Sequence, residues 1–253
     1  MTYLDLNLNH LLIAICILSF AAAQFLYCLG VLVKVAGTIS KKKYTANSIE
    51  NIIGNLSNLF AAIFLPSLAY LVESELSLQP YLTLVAIAYL LTAILCATML
   101  LNINLLVRLF IRVIANYETI RSMPLAMLRT LKGGLVHKTQ HPPEWTISLV
   151  AKKRKKYFFS AFVAYLPTTS GFFIAFFLAL SFPENRLAFA QSAIFIHGLG
   201  IVMLSLYVWP PLSSALDASE YTEVWTPAVV SYMLGRLSTY LVLFCVAVIL
   251  LAV

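Results

Sequence analysis

An all-α integral membrane protein, built as a bundle of six transmembrane helices, is the fold class this sequence predicts. Three observations predict it. Of 253 residues, 61% are hydrophobic and 11% charged, with a mean hydropathy of +0.91; soluble domains run near ~45–50% and ~25%. The apolar residues fall in six runs of roughly the ~20 residues needed to cross a hydrocarbon core of ~30 Å. The runs are continuous rather than alternating, which excludes a β-barrel. A lipid-exposed backbone without water must then close its hydrogen bonds within a helix.

The first run, residues 11–35, has no basic residue ahead of it and is too long for a signal-peptide core. It therefore reads as a retained span, although "FAAAQ" offers small residues of the cleavage-site type. It carries Gln24 and has Lys34 at its end. The second run, 52–72, opens in "NIIGNLSN", whose Asn51, Asn55 and Asn58 are spaced for one helix face. The third, 81–106, holds Asn102 and Asn104, and Arg108 and Arg112 continue it as a basic helix. A basic segment, 107–157, comes next and is broken by Gly-Gly and Pro-Pro in "KGGLVHKTQHPPEW". The remaining spans are 158–182 with "PTTSG", 187–212 with Gln191 and His197, and 228–253 with Arg236. Residues 1–253 thus form a single polytopic domain.

Topology follows from the charges. Lys34, Lys41, Lys42, Lys43 and the eleven Lys and Arg from Arg108 to Lys156 all fall on one side, fifteen of the 17 basic residues. Only Arg186 and Arg236 lie elsewhere. The positive-inside rule makes that side cytoplasmic and turns both termini outward. "SSALDASEYTEVW" is acidic and also inside, which the rule tolerates because acidic residues weigh little. The basic segment serves as a topology anchor, and it attracts anionic lipid head groups at about 1 kcal/mol per residue near the surface.

The chemistry of an enzyme is missing. There is no G-x-x-x-x-G-K-[ST] loop, G-x-S-x-G, H-E-x-x-H or paired-carboxylate cluster. His137 and His141 have metal-ligand spacing but no third ligand, and Cys16, Cys28, Cys96 and Cys245 show no zinc or CxxC spacing. No cofactor, metal or nucleic acid is expected. A transporter or a non-transporting membrane scaffold of cell-envelope assembly remains.

Polar residues inside the spans are then the candidate site. Asparagines commonly act as interhelical hydrogen-bond glue, at about 0.6 kcal/mol each. Arg236 is harder to place, because an arginine at a helix centre costs roughly 2.5–3.5 kcal/mol on insertion scales. Eight residues into its run, it lies about 12 Å deep. It either snorkels to the inner surface, or faces a cavity, pairs with Asp217 or Glu223, and offers its guanidinium to a phosphate. His197 titrates near neutral pH, so it is a proton-coupling candidate as well as a helix-packing residue. Pro66–Glu73 and Pro210–Asp217 share the pattern P-x-L-x₄-[ED] at the end of the second helix of each half. This suits two inverted-topology three-helix halves, with Pro66 and Pro210 as hinge candidates.

The stretch "PENRLAFAQSAIFIHGLGIVMLSLYVWPPLSSALD" (Pro183–Asp217), with "LGRLSTYL" after it, resembles the Amj family of alternate lipid II flippases of bacteria. "LVKVAG" and "LSNLFAAIFLPSLAYLVE" extend the resemblance to the first half. The chain departs from the family pattern at Lys34, where an arginine is usual, and at Trp209, where an aspartate precedes the proline. The resemblance implies a multi-pass protein of the bacterial cytoplasmic membrane. It implies transport of undecaprenyl-pyrophosphate-linked peptidoglycan precursor from the inner to the outer leaflet. Lys34 and Arg236 are then the cations for the pyrophosphate, Asn55 and Asn58 hydrogen-bond sugar or peptide, and Asp217 completes the site. The alternative is a proton-coupled small-molecule transporter using His197 and the acidic residues.

Overall fold

Each apolar run becomes a helix because its backbone can satisfy itself nowhere else. The computed structural model describes residues 3–74, 76–133, 155–217 and 222–253, with the backbone alone described for 3–7 and 222–225. His137 and His141, and the side chain of Glu223, lie outside the described part. Among the described residues the order is α1 (Tyr3–Ile39), α2 (Lys43–Glu73), α3 (Leu78–Leu101), α4 (Ile103–Ile120), α5 (Met123–Leu131), α6 (Lys155–Ser181), α7 (Arg186–Met203), α8 (Trp209–Asp217) and α9 (Thr222–Ala252). Six segments are long and apolar enough to cross a membrane, α7 and α8 forming one of them together. The molecule is an all-α, six-span, multi-pass membrane bundle.

Several span boundaries differ from the sequence expectation, α1 and the fifth span running longer and α2 starting at Lys43 rather than 52. The third span stops at Leu101 rather than 106: the chain turns at Asn102, whose side-chain amide joins its own backbone N–H on the Thr98 carbonyl, at 2.8 and 3.0 Å. Beyond it stands a separate amphipathic helix, α4, burying Ile103, Val107, Phe110, Ile111 and Ile114. It ends at Arg121 in the left-handed region (φ 54°), and α5 folds back onto it. Asn116 Nδ2 donates to Thr130 Oγ1 at 2.9 Å to close the pair. The last span begins earlier than 228, with α9 starting at Thr222.

The fifth span is continuous but not regular. Adjacent Pro210 and Pro211 lack N–H groups, and their rings press on the carbonyls of Leu206 and Tyr207. Residues Leu204–Val208 accordingly widen into a π-helical turn that moves those carbonyls aside. Pro66, by contrast, lies inside α2 without breaking it.

The pairing of helices is alike in the two halves. α1 packs along α2 and on α3; α6 packs along α7 and on α9; α3 and α9 meet at the centre. With no hydrophobic drive between helices in lipid, close approach and hydrogen bonds hold them. α6 is the acceptor rail. Its carbonyls at Phe173 and Thr169 take the hydroxyls of Tyr81 (2.6 Å) and Tyr89 (3.2 Å) of α3, and Phe162 takes that of Thr239 of α9 (3.1 Å). Phe20, Phe64, Tyr89 and Phe173 pack ring against ring between the halves.

Candidate functional site

An ion pair sits in a groove toward the basic end of the bundle, and an arginine stands in the bundle's middle. On α1, Tyr27, Gly30 and Lys34 share a face at i, i+3 and i+7. On α2, Glu50, Asn51, Asn55 and Asn58 form a polar track about 12 Å long at 1.5 Å per residue. With Trp209 of α8 these residues line a groove of about 410 Å³. Lys34 Nζ sits 2.9 Å from Glu50 Oε1, and 5.1 Å above the Trp209 ring. Both side chains of the ion pair are about one-quarter exposed, at 26% and 25%. Deeper in the groove, Tyr27 Oη donates to Asn58 Oδ1 at 2.8 Å.

The groove is open to the side. Ile52, Leu56 and Leu59 beside it are 45%, 44% and 57% exposed, so an apolar surface runs along the polar track. Asn51 and Asn55 are exposed and have no side-chain hydrogen bond among the described residues. Asparagines used as glue would be bonded to a neighbouring helix; these two are not.

Arg236 neither snorkels nor faces that groove. It is fully buried, and Gln24, its partner on α1, is fifteen residues from the end of that helix, about 22 Å along it. The extra depth over the sequence expectation comes from the earlier start of α9. Its Nε donates to Tyr240 Oη at 2.8 Å and its Nη1 to Tyr165 Oη at 3.3 Å. Nη2 donates to the Gln24 carbonyl at 3.0 Å and to Gln24 Oε1 at 2.8 Å. Tyr240 also donates to Gln24 Oε1 at 2.9 Å, and the guanidinium lies 4.4 Å from the Tyr165 ring centroid. Four of its five N–H donors are therefore used, all by neutral groups.

Asp217 does not pair with Arg236. It accepts from Lys43 Nζ at 2.7 Å on the exposed basic end and so ties α8 to the start of α2. It lies outside the groove, though the helix it closes is the one that presents Trp209. His197 is engaged with α6: its Nδ1 is 2.7 Å from the Thr168 carbonyl, so the hydrogen resides on Nδ1, and its ring packs on Phe172. Lys34, Asn55 and Asn58 are thus brought together, while Arg236, Asp217, His197, Pro66 and Pro210 stand apart from them.

An aromatic relay joins the two features. Trp209, under Lys34, packs against Tyr232 with ring centroids 5.9 Å apart. The Tyr232 hydroxyl shares a hydrogen bond with that of Tyr165, which accepts from Arg236. Sequence reasoning does not single out Glu50, Tyr27, Tyr165, Tyr232 and Tyr240; it names Gln24 and Asn51 only as polar residues in apolar runs, and Trp209 only as a departure from the family pattern. Gln24 carries a signal, as an amide in the middle of an apolar run. The tyrosines carry none, since they count as apolar in composition. Comparison with protein-family models, with curated proteins and with solved structures finds no match to this chain.

Proposed function

We propose that this chain is a lipid flippase of the Amj type, moving an undecaprenyl-pyrophosphate-linked peptidoglycan precursor from the cytoplasmic to the outer leaflet of a bacterial cytoplasmic membrane. The observation that carries the proposal is the groove. A polyprenyl-linked head group has a tail that is stable in lipid and a pyrophosphate-sugar head that is not. The groove offers a lysine, the uncommitted Asn51 and Asn55 and an indole, flanked laterally by exposed Ile52, Leu56 and Leu59. The pyrophosphate displaces Glu50 from Lys34, the asparagines hydrogen-bond the sugars, and Trp209 stacks on a sugar face. The tail rests on the apolar side chains outside.

In this reading Arg236 is a positioning residue. It fixes α1 against α6 and α9, and through Tyr165, Tyr232 and Trp209 it holds the floor under Lys34. The guanidinium meets a phosphate only when α1 parts from α9 at Gln24. The turn at Leu204–Val208 and the Pro210–Pro211 pair form the natural hinge for tilting α8.

The test is rescue of growth in a bacterial strain depleted of its other precursor flippase. Wild-type chain restores growth, and Lys34→Gln, inserted to the same level, does not. Failure of the wild type to rescue removes the assignment. A proton-coupled small-molecule transporter is the second reading, favoured by the Lys34–Glu50 ion pair in an open groove. Substrate uptake into proteoliposomes driven by a proton gradient, without flipping of a lipid-linked oligosaccharide, would select it.

A further inference from the structure

Two arginines at the basic end have no acidic partner among the described residues. Arg108 and Arg112 lie one turn apart on α4 and are both exposed, and the ion pairs nearby, Lys42–Glu118 and Lys43–Asp217, use other residues. With Leu105, Leu109, Thr130 and Leu131 they line a notch of about 270 Å³ between α4 and α5. The hairpin that carries the notch also turns a row of apolar side chains outward. Leu105 is 63% exposed and Leu131 71%. Leu125 and Leu128 extend the row along α5.

The row of exposed leucines does not suit open water. A helix with paired guanidiniums on its rim and exposed leucines beside them is the pattern of an element lying in the headgroup layer. We infer that the α4–α5 notch is a binding site for the phosphate of an anionic phospholipid. The phosphate is held between Arg108 and Arg112, and an acyl chain runs over Leu105, Leu109 and Leu131. Arginine suits this task because its planar fork matches phosphate oxygens in pairs. Thr130 does not add a hydroxyl to the ligand: its Oγ1 donates to the Ala126 carbonyl and accepts from Asn116. It fixes the wall of the notch instead. The proposal is independent of the flippase reading, since the notch and the groove share no residue.

The experiment is native mass spectrometry of the full chain released from mixed detergent micelles containing phosphatidylglycerol and phosphatidylcholine. Wild type retains one phosphatidylglycerol in preference to phosphatidylcholine. Arg108→Gln with Arg112→Gln loses that preference by about tenfold or more, the equivalent of at least one charge-assisted hydrogen bond to the phosphate. The matched control, Lys41→Gln with Arg121→Gln, removes two exposed charges outside the notch and keeps the lipid. Equal loss in both double variants overturns the site in favour of diffuse attraction. Displacement of the lipid by millimolar inorganic phosphate overturns the choice of a lipid over a free anion. Melting temperature in phosphatidylcholine micelles, unchanged in both variants, shows that the fold is intact; if the arginine variant does not fold, Leu105→Gln with Leu131→Gln serves in its place and must lower retention.

Discussion

Arg236 and Gln24 are joined twice: one guanidinium nitrogen donates both to the backbone carbonyl of Gln24 and to its side-chain Oε1, at 3.0 and 2.8 Å. These residues are 212 positions apart, on the first and last spans. Among the described residues, the guanidinium holds its charge in the centre of the bundle with neutral partners alone. A carboxylate there would add a second desolvated ion, whereas an amide and two phenols bring dipoles at smaller cost.

The cage therefore has an asymmetric response to substitution. In Arg236→Met the remaining groups satisfy one another, since Tyr240 donates to Gln24 and Tyr165 pairs with Tyr232. Loss of stability is about 1 kcal/mol or less. Gln24→Leu instead leaves a buried cation short of an acceptor and costs about 2–3 kcal/mol. Denaturant unfolding in mild detergent checks the order, and a larger loss in Arg236→Met contradicts it.

On the proposed reading, Glu50, which pairs with Lys34 at 2.9 Å, competes with the anionic head group for that lysine. Glu50→Gln frees the ammonium and binds a pyrophosphate-linked lipid more tightly, by about two- to tenfold for about 0.5–1.4 kcal/mol of relieved competition. Lys34→Gln weakens binding. Titration of each purified variant with the lipid measures both, and unchanged affinity in both removes the pair from the site.

α6 and α7 touch at two glycines. A Cβ on Gly171 would meet the backbone nitrogen of His197 at 2.8 Å, and one on Gly200 would strike the backbone of Thr168. Each glycine-to-alanine change costs about 1–3 kcal/mol by forcing the helices apart. Gly198 has nothing within 4 Å of such a Cβ, so Gly198→Ala gains up to about 1 kcal/mol from helix propensity. Thermal unfolding of the three variants separates packing from propensity.

His197 is bound to the α6 backbone, and its role is to brace that same contact. His197→Asn offers an amide donor toward the Thr168 carbonyl. On the proposed flippase reading, flipping by this variant keeps the pH dependence of the wild type. A flattened profile would instead return His197 to proton coupling.

How much of the molecule is readable in the sequence depends on what each residue's neighbours reveal. The spans are legible because runs such as Tyr81–Leu101 admit no other structure in lipid. The stop at Leu101 is not, since an asparagine continues a helix as readily as it ends one, and the turn at Asn102 shows only in the fold. Asn55, Asn58 and Lys34 stand out as polar residues in apolar runs, and the fold puts them in one groove. Glu50 escapes notice because it precedes the apolar run, although α2 begins at Lys43 and carries it on the same helix. The cage around Arg236 is hidden because Tyr165, Tyr232 and Tyr240 are hydrophobic by composition and show their hydroxyls only in three dimensions.

Whether the groove carries a lipid-linked head group is decided by flipping of a fluorescent undecaprenyl-pyrophosphate-linked oligosaccharide in proteoliposomes, comparing wild type with Lys34→Gln and with Asn55→Leu/Asn58→Leu. The wild type should translocate the lipid, and both variants should lose about tenfold or more of that rate at unchanged melting temperature. Equal flipping by all three, or none by the wild type, would show that the groove is not the path.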